Sequence, residues 1–161
     1  MAKFIVGCII IVISTVIGGK LTDKYRRRAE FYEALKDFNL KLKQNLLYKK
    51  DKLYIVADYK SGSPDFNITL EDFRSLSFYG KSNNTDIFLP SYLSVSERDF
   101  VEEYFLAIGK GNVRSEAELI CSYEYSINEK LSKMQDENTR FSKLGRKVGL
   151  AVGLTVFILV V

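Results

Sequence analysis

The chain has 161 residues, 47% of them hydrophobic and 27% charged, with a net charge of +4. That length holds one domain and hardly two. It contains no His, no Trp and only two Cys, Cys8 and Cys121. No metal-ligand spacing and no disulfide framework can be assembled from these, so no cofactor is expected. Charge is nearly balanced outside one cluster at 20–28, which argues against nucleic-acid binding.

Charge is strongly segregated along the chain. Lys3 is the only charged residue before Lys20, and none follows Lys147, so all 20 acidic residues lie between them. The first apolar run is Phe4 to Gly19. Its sixteen residues make about 24 Å of helix, short of a hydrocarbon core of about 30 Å. Leu21 and snorkelling of Lys3 and Lys20 cover part of the gap. Two alternatives compete with an uncleaved helix. Val16-Ile17-Gly18 resembles a signal-peptide cleavage site, and "IVGC" resembles a lipobox. The basic residues that follow at once, Lys20, Lys24, Arg26, Arg27 and Arg28, favour an uncleaved helix with that cluster held in the cytoplasm.

"DKYRRRAEFYEALKDFNLKLKQNLLY" follows, with Phe31, Leu35, Phe38, Leu42 and Leu46 at helical spacing. It is expected to continue as a helix out of the membrane over 22–50. "YKSGSP", Tyr59 to Pro64, breaks it. "NITLEDFRSL" fits a short helix capped by Asn67 or Thr69, and "YGKSNNTDIFLP" reads as loop. Ser94 and Glu97 have capping-box spacing ahead of Val95, Phe100, Tyr104, Phe105 and Ile108. Gly109 and Gly111 stop that helix.

A long helix is expected from about 114 to 146, with Ile120, Tyr123, Ile127, Leu131, Met134 and Phe141 as its apolar stripe. It should pair antiparallel with 22–50. The second apolar run, Val148 to Val161, is fourteen residues, about 21 Å as a helix. Its length suits a buried core helix, and its β-branched residues allow a strand. The basic border Lys143, Arg146 and Lys147 mirrors the one at 20–28 and favours a membrane helix. Gly145, Gly149 and Gly153 fall four apart on one face, and Gly7, Ser14 and Gly18 offer a matching small face for helix packing.

The expected architecture is all-α: an N-terminal transmembrane helix (1–21), a cytoplasmic helical bundle (22–146) and a C-terminal transmembrane helix (147–161). "GKGN", Gly109 to Asn112, lacks the P-loop pattern and reads as a turn. Glu97, Asp99, Glu102 and Glu103 read as a solvated helix face or, with Lys110 and Arg114, as a docking surface for a protein partner. Lys20, Lys24, Arg26, Arg27, Arg28, Lys143, Arg146 and Lys147 would meet the membrane surface and its lipids. No nucleophile–base set is present, so an enzyme is not expected.

The layout resembles the stage III sporulation protein AB family. The resemblance is carried by the short apolar run with basic residues after it (Gly18 to Arg28) and the "LS" helix start. "LAIGKGNVRSEAELI" (Leu106 to Ile120) and "KMQDENTRFSKLGRKVGLAVGLTVFILVV" (Lys133 to Val161) also look like family stretches. Residues 50–93 match poorly. The resemblance implies a helical domain like the inner-membrane platform of type II secretion and type IV pilus systems. It further implies a place in the mother-cell membrane facing the forespore. There the protein would help build a secretion-like channel beside a cytoplasmic secretion-type ATPase and other sporulation channel proteins. The competing reading is an extracytoplasmic binding protein with a cleaved signal peptide and one C-terminal anchor.

Overall fold

The structure, a computed structural model, describes residues 2–20, 22–48, 58–79, 87–108 and 113–160. Among these residues every regular element is a helix, in the order α1 (Ala2–Lys20), α2 (Asp23–Tyr48), α3 (Pro64–Tyr79), α4 (Val95–Ala107) and α5 (Val113–Val160). The fold class is all-α. The chain divides into two compact units, one of Met1–Ala29 with Ser132–Val161 and one of Glu30–Leu131. These borders differ from the expected ones at 21/22 and 146/147.

Local chemistry explains where the helices start and stop. α1 and α2 are not one continuous helix. Gly18 and Gly19 weaken the helical run, and the Thr22 hydroxyl donates to the Gly19 carbonyl at 2.7 Å. The Thr22 N–H also reaches Gly19 O at 3.1 Å, and the Tyr25 N–H reaches Thr22 O at 3.0 Å, so a turn intervenes.

α3 starts earlier than the Asn67 or Thr69 caps predict. Ser63 precedes it and accepts from the Phe66 N–H at 3.4 Å, with Pro64 as the first helical residue. Proline is pre-organised there and its missing N–H is no loss. The same "SGSP" that ends one segment therefore starts the next. Asn67 instead clasps Ser61, accepting from its N–H at 2.8 Å and donating to its carbonyl at 3.0 Å. α4 begins at the expected box: the Glu97 carboxylate accepts from the Ser94 N–H at 2.7 Å. α5 is a single helix of 48 residues and does not break at 146/147. The region contains no proline, and Gly145 and Gly149 sit inside the helix.

The unit Glu30–Leu131 has an ordinary core. Phe31, Leu35, Phe38, Leu42 and Leu46 of α2 are buried, as the spacing predicts, against Phe66, Leu70 and Phe73 of α3, Val101, Tyr104 and Phe105 of α4, and Ile120, Ile127 and Leu131 of α5. Aromatic rings dominate it. Phe38 lies 5.3 Å from Tyr59, 5.9 Å from Phe66 and 6.1 Å from Phe105, ring centre to ring centre. α2 and α5 are joined here: the Asn39 amide donates to the Ile120 carbonyl at 3.3 Å. Asn39 is only 1% exposed, and its carbonyl oxygen accepts from the Tyr104 hydroxyl at 3.0 Å. Burial pushes the Tyr104 phenol well above its ordinary pKa.

The expectation of two fully spanning helices needs correction. Among the described residues no helix is long and apolar enough to cross a membrane. The uncharged stretches of sixteen and fourteen residues fall below the ~20 that a span requires.

The Asn39–Tyr104 pair should behave as a unit. Asn39→Leu strands the buried Tyr104 hydroxyl and should cost about 1–3 kcal/mol in urea unfolding. Adding Tyr104→Phe should recover part of that loss rather than add to it. Lys36→Ala, on the exposed side of α2, should change stability by less than about 0.5 kcal/mol.

Candidate functional site

In the unit formed by the two ends of the chain, α1 and the last part of α5 pack backbone to backbone. A Cβ placed on Gly18 would lie 2.5 Å from the Gly145 carbonyl oxygen and 3.1 Å from the Gly149 Cα. One on Gly149 would lie 2.7 Å from the Ser14 carbonyl oxygen. One on Gly145 would meet the Thr22 methyl at 2.6 Å and the Gly18 carbonyl oxygen at 2.7 Å. Backbone atoms cannot swing aside, so these positions admit glycine alone. The contact brings together Ser14, Gly18, Gly145 and Gly149 of the six predicted packing residues. Gly153 is also buried, and Gly7 lies where side-chain surroundings are not described.

The large apolar residues of this unit point the other way. Ile9, Val12, Ile13, Val16 and Ile17 of α1 and Leu144, Val148, Leu150, Val152, Leu154 and Ile158 of α5 are between 44% and 75% exposed. Small residues are inside and large apolar ones outside. This inverts the arrangement of the Glu30–Leu131 core.

The basic residues border this apolar surface. Lys20, Lys24, Arg26 and Arg27 are exposed near the α1–α2 turn, and Lys143 and Lys147 are exposed on α5. Arg28 behaves differently. Its guanidinium donates to Glu137 at 3.1 Å, with both side chains mostly buried. Beside it Tyr25 stacks on Phe141, ring centres 4.2 Å apart. Neither contact is readable from the basic cluster, although Phe141 lies on the predicted stripe. The Arg146 side chain lies outside the described residues.

The predicted docking residues separate into three groups. Glu97 is 6% exposed and caps α4 with its carboxylate, so it is not part of a surface. Asp99, Glu102 and Glu103 are exposed and, with Leu106 and Ala107, line a shallow concavity of about 500 Å³. Spacings of three and four set these carboxylates on one face of α4. Lys110, with the rest of "GKGN", and the Arg114 side chain lie outside the described residues.

Another concavity, between α2 and residues 59–63, is a structural latch. The Tyr59 hydroxyl donates to Asp37 at 2.9 Å, and Lys41 donates to the same carboxylate oxygen at 2.9 Å. Partial burial opposes the charge on Asp37, but these hydrogen bonds outweigh it and hold the carboxyl below its usual range. Burial and the Asp37 carboxylate together push the Tyr59 phenol far up. Among the described residues no group of three or more His, Cys, Asp or Glu is placed to hold a metal ion.

No protein-family model, curated protein or solved structure matches the chain.

The glycine contact generates a paired prediction. Gly149→Ala drives a methyl into the Ser14 carbonyl and should cost about 1–3 kcal/mol in thermal unfolding followed by helicity. Gly19→Ala, whose Cβ would meet nothing within 4 Å, should cost nothing. Equal effects at the two sites would show that the close approach contributes no stability.

Proposed function

We propose that the chain is a non-enzymatic membrane platform. The α1–α5 hairpin is embedded in lipid and holds the helical unit Glu30–Leu131 at the cytoplasmic face. The inverted packing supports this reading more than any other observation. Eleven large apolar side chains face outward around a seam of glycine, where burying apolar volume from water supplies no driving force. In lipid that force is not needed, because close van der Waals approach of small residues holds helices together. Lipid would also cover the outer surface, a gain on the order of 1 kcal/mol per half-exposed Ile, Val or Leu.

Runs of about 24 Å and 21 Å are short for a bilayer of about 30 Å. The hairpin therefore enters the lipid from one side without crossing it, with Lys20, Lys143 and Lys147 snorkelling at the border. By the positive-inside rule, the basic border supports a cytoplasmic position for the polar unit. A cleaved signal peptide is disfavoured, since cleavage after Gly18 would remove the helix on which Gly145 and Gly149 pack.

The partner reading comes from the sequence resemblance. On it the protein belongs to a sporulation-specific, secretion-like channel in the mother-cell membrane, and the Asp99–Glu102–Glu103–Leu106 face of α4 docks the cytoplasmic ATPase. Acidic groups around one apolar side chain suit a basic amphipathic partner surface.

In cells whose only cysteine in this protein is Lys60→Cys, with Cys8 and Cys121 replaced by Ser, an impermeant maleimide should label the chain only after lysis. The protein should stay with membranes through alkaline extraction. Labelling in intact cells would overturn the topology. Reversing charge at Glu102 and Glu103 should reduce ATPase capture by about tenfold or more, as expected for loss of two complementary charges. Unchanged capture removes this face from the proposal.

A further inference from the structure

A cavity of about 300 Å³ opens in the anchor unit beside the α1–α2 turn. Val16, Lys20, Asp23, Arg26, Asn138 and Ser142 contribute to its wall. Three donors in it have no partner among the described residues. Among the described residues no carboxylate pairs with the Lys20 ammonium, and neither the Asn138 amide nor the Ser142 hydroxyl has a side-chain partner. Among the described residues that line it, Asp23 is the one acidic group. It is engaged by Arg26 through contacts of 3.4 Å, so the lining is net positive by one charge.

Asn138 and Ser142 are one turn apart on α5 and present an amide and a hydroxyl on one face. On the other side Val16 continues into the exposed apolar face of α1. The cavity thus joins polar, positively charged walls to an apolar flank.

We infer that this cavity binds the phosphate of an anionic phosphate ester, with Lys20 as counter-charge and Asn138 and Ser142 as hydrogen-bond donors. The inference rests on the membrane reading for its source. A phospholipid headgroup offers the phosphate with acyl chains along Val16, whereas a soluble ester such as glycerol phosphate offers the phosphate alone. Lys24, Arg27, Lys143 and Lys147 add a diffuse attraction, but the cavity adds positioned donors. Selectivity should therefore depend on uncharged residues as well as on charge.

The full chain would be reconstituted in vesicles of phosphatidylcholine, or of phosphatidylcholine mixed equally with phosphatidylglycerol. After flotation, lipid retained in neutral detergent would be counted by native mass spectrometry. Phosphatidylglycerol should be retained about fivefold over phosphatidylcholine, as expected for about 1 kcal/mol from one basic residue. Lys20→Gln should abolish most of that preference and Lys20→Arg should keep it. Asn138→Leu with Ser142→Val, which leaves charge unchanged, should also lose it. Lys60→Gln, outside the cavity, should not.

Flotation in both vesicles with no headgroup preference overturns the site and leaves the anchor standing. A preference that survives the Asn138/Ser142 change overturns the cavity in favour of diffuse charge. Failure to float in either vesicle overturns the membrane reading. Glycerol phosphate binding, lost in Lys20→Gln, would then assign the site to a soluble ester, and its absence would overturn the site too.

Discussion

The approach of Gly18 to Gly145 and Gly149 is the contact on which the unit of α1 and the end of α5 depends. With a Cβ at these positions held to 2.5–2.7 Å from carbonyl oxygens, no side chain fits in the seam. A helix pair that close has no room inside for Ile, Val or Leu, so those residues must lie on its outer surface. The seam therefore decides which medium suits the pair. In water the exposed isoleucines and valines would carry a free-energy penalty that glycine burial cannot offset. In hydrocarbon the penalty vanishes and close approach becomes the stabilising term.

The burial pattern of α5 changes along its own length. Ile120, Ile127, Leu131 and Met134 are buried in the usual way, whereas Leu144, Val148, Leu150, Val152, Leu154 and Ile158 are exposed. Between these stretches of sequence lie Glu137, Asn138, Phe141 and Ser142. Two of them hold Arg28 and Tyr25, and the other two face the cavity. Such a band combines an ion pair, an aromatic stack and free polar groups. It is the composition expected at a boundary between apolar and aqueous surroundings, where amphipathic side chains satisfy one end in each.

Much of this was legible in the sequence because it depends on period and local chemistry. The stripe on α2, the stripe on α5, the Ser94–Glu97 box and the common face of Gly145 and Gly149 all follow from spacing. What spacing does not encode is direction. Glu97 fits both the capping box and the acidic run with Asp99, Glu102 and Glu103, and only its bond from the Ser94 N–H shows that it belongs to the cap and not to the exposed face. Asn67 was a plausible cap by residue type, but Ser63 with Pro64 behind it is the better start. The basic cluster read as uniform, although Arg28 faces Glu137 from a position more than a hundred residues away in sequence. Asn138 and Ser142 carried no signal at all, being ordinary polar residues on a polar helix. Their meaning depends on the turn at Thr22, which a continuous α1–α2 helix would not have produced.

The acidic face of α4 raises a similar question of what packing requires. Val101, Tyr104 and Phe105 bury the opposite side, with Phe105 only 4.9 Å from the ring of Phe73 and 6.1 Å from that of Phe38. That aromatic grip fixes the orientation of a helix only 13 residues long. The exposed side carries Asp99, Glu102 and Glu103 at spacings that repel by a few tenths of a kcal/mol per pair. Among the described residues no basic side chain is ion-paired with them. The core does not need this charge, and the helix is slightly less stable for it. On the proposed reading, the like charge around Leu106 on the free face of this short helix is what a complementary partner surface would meet.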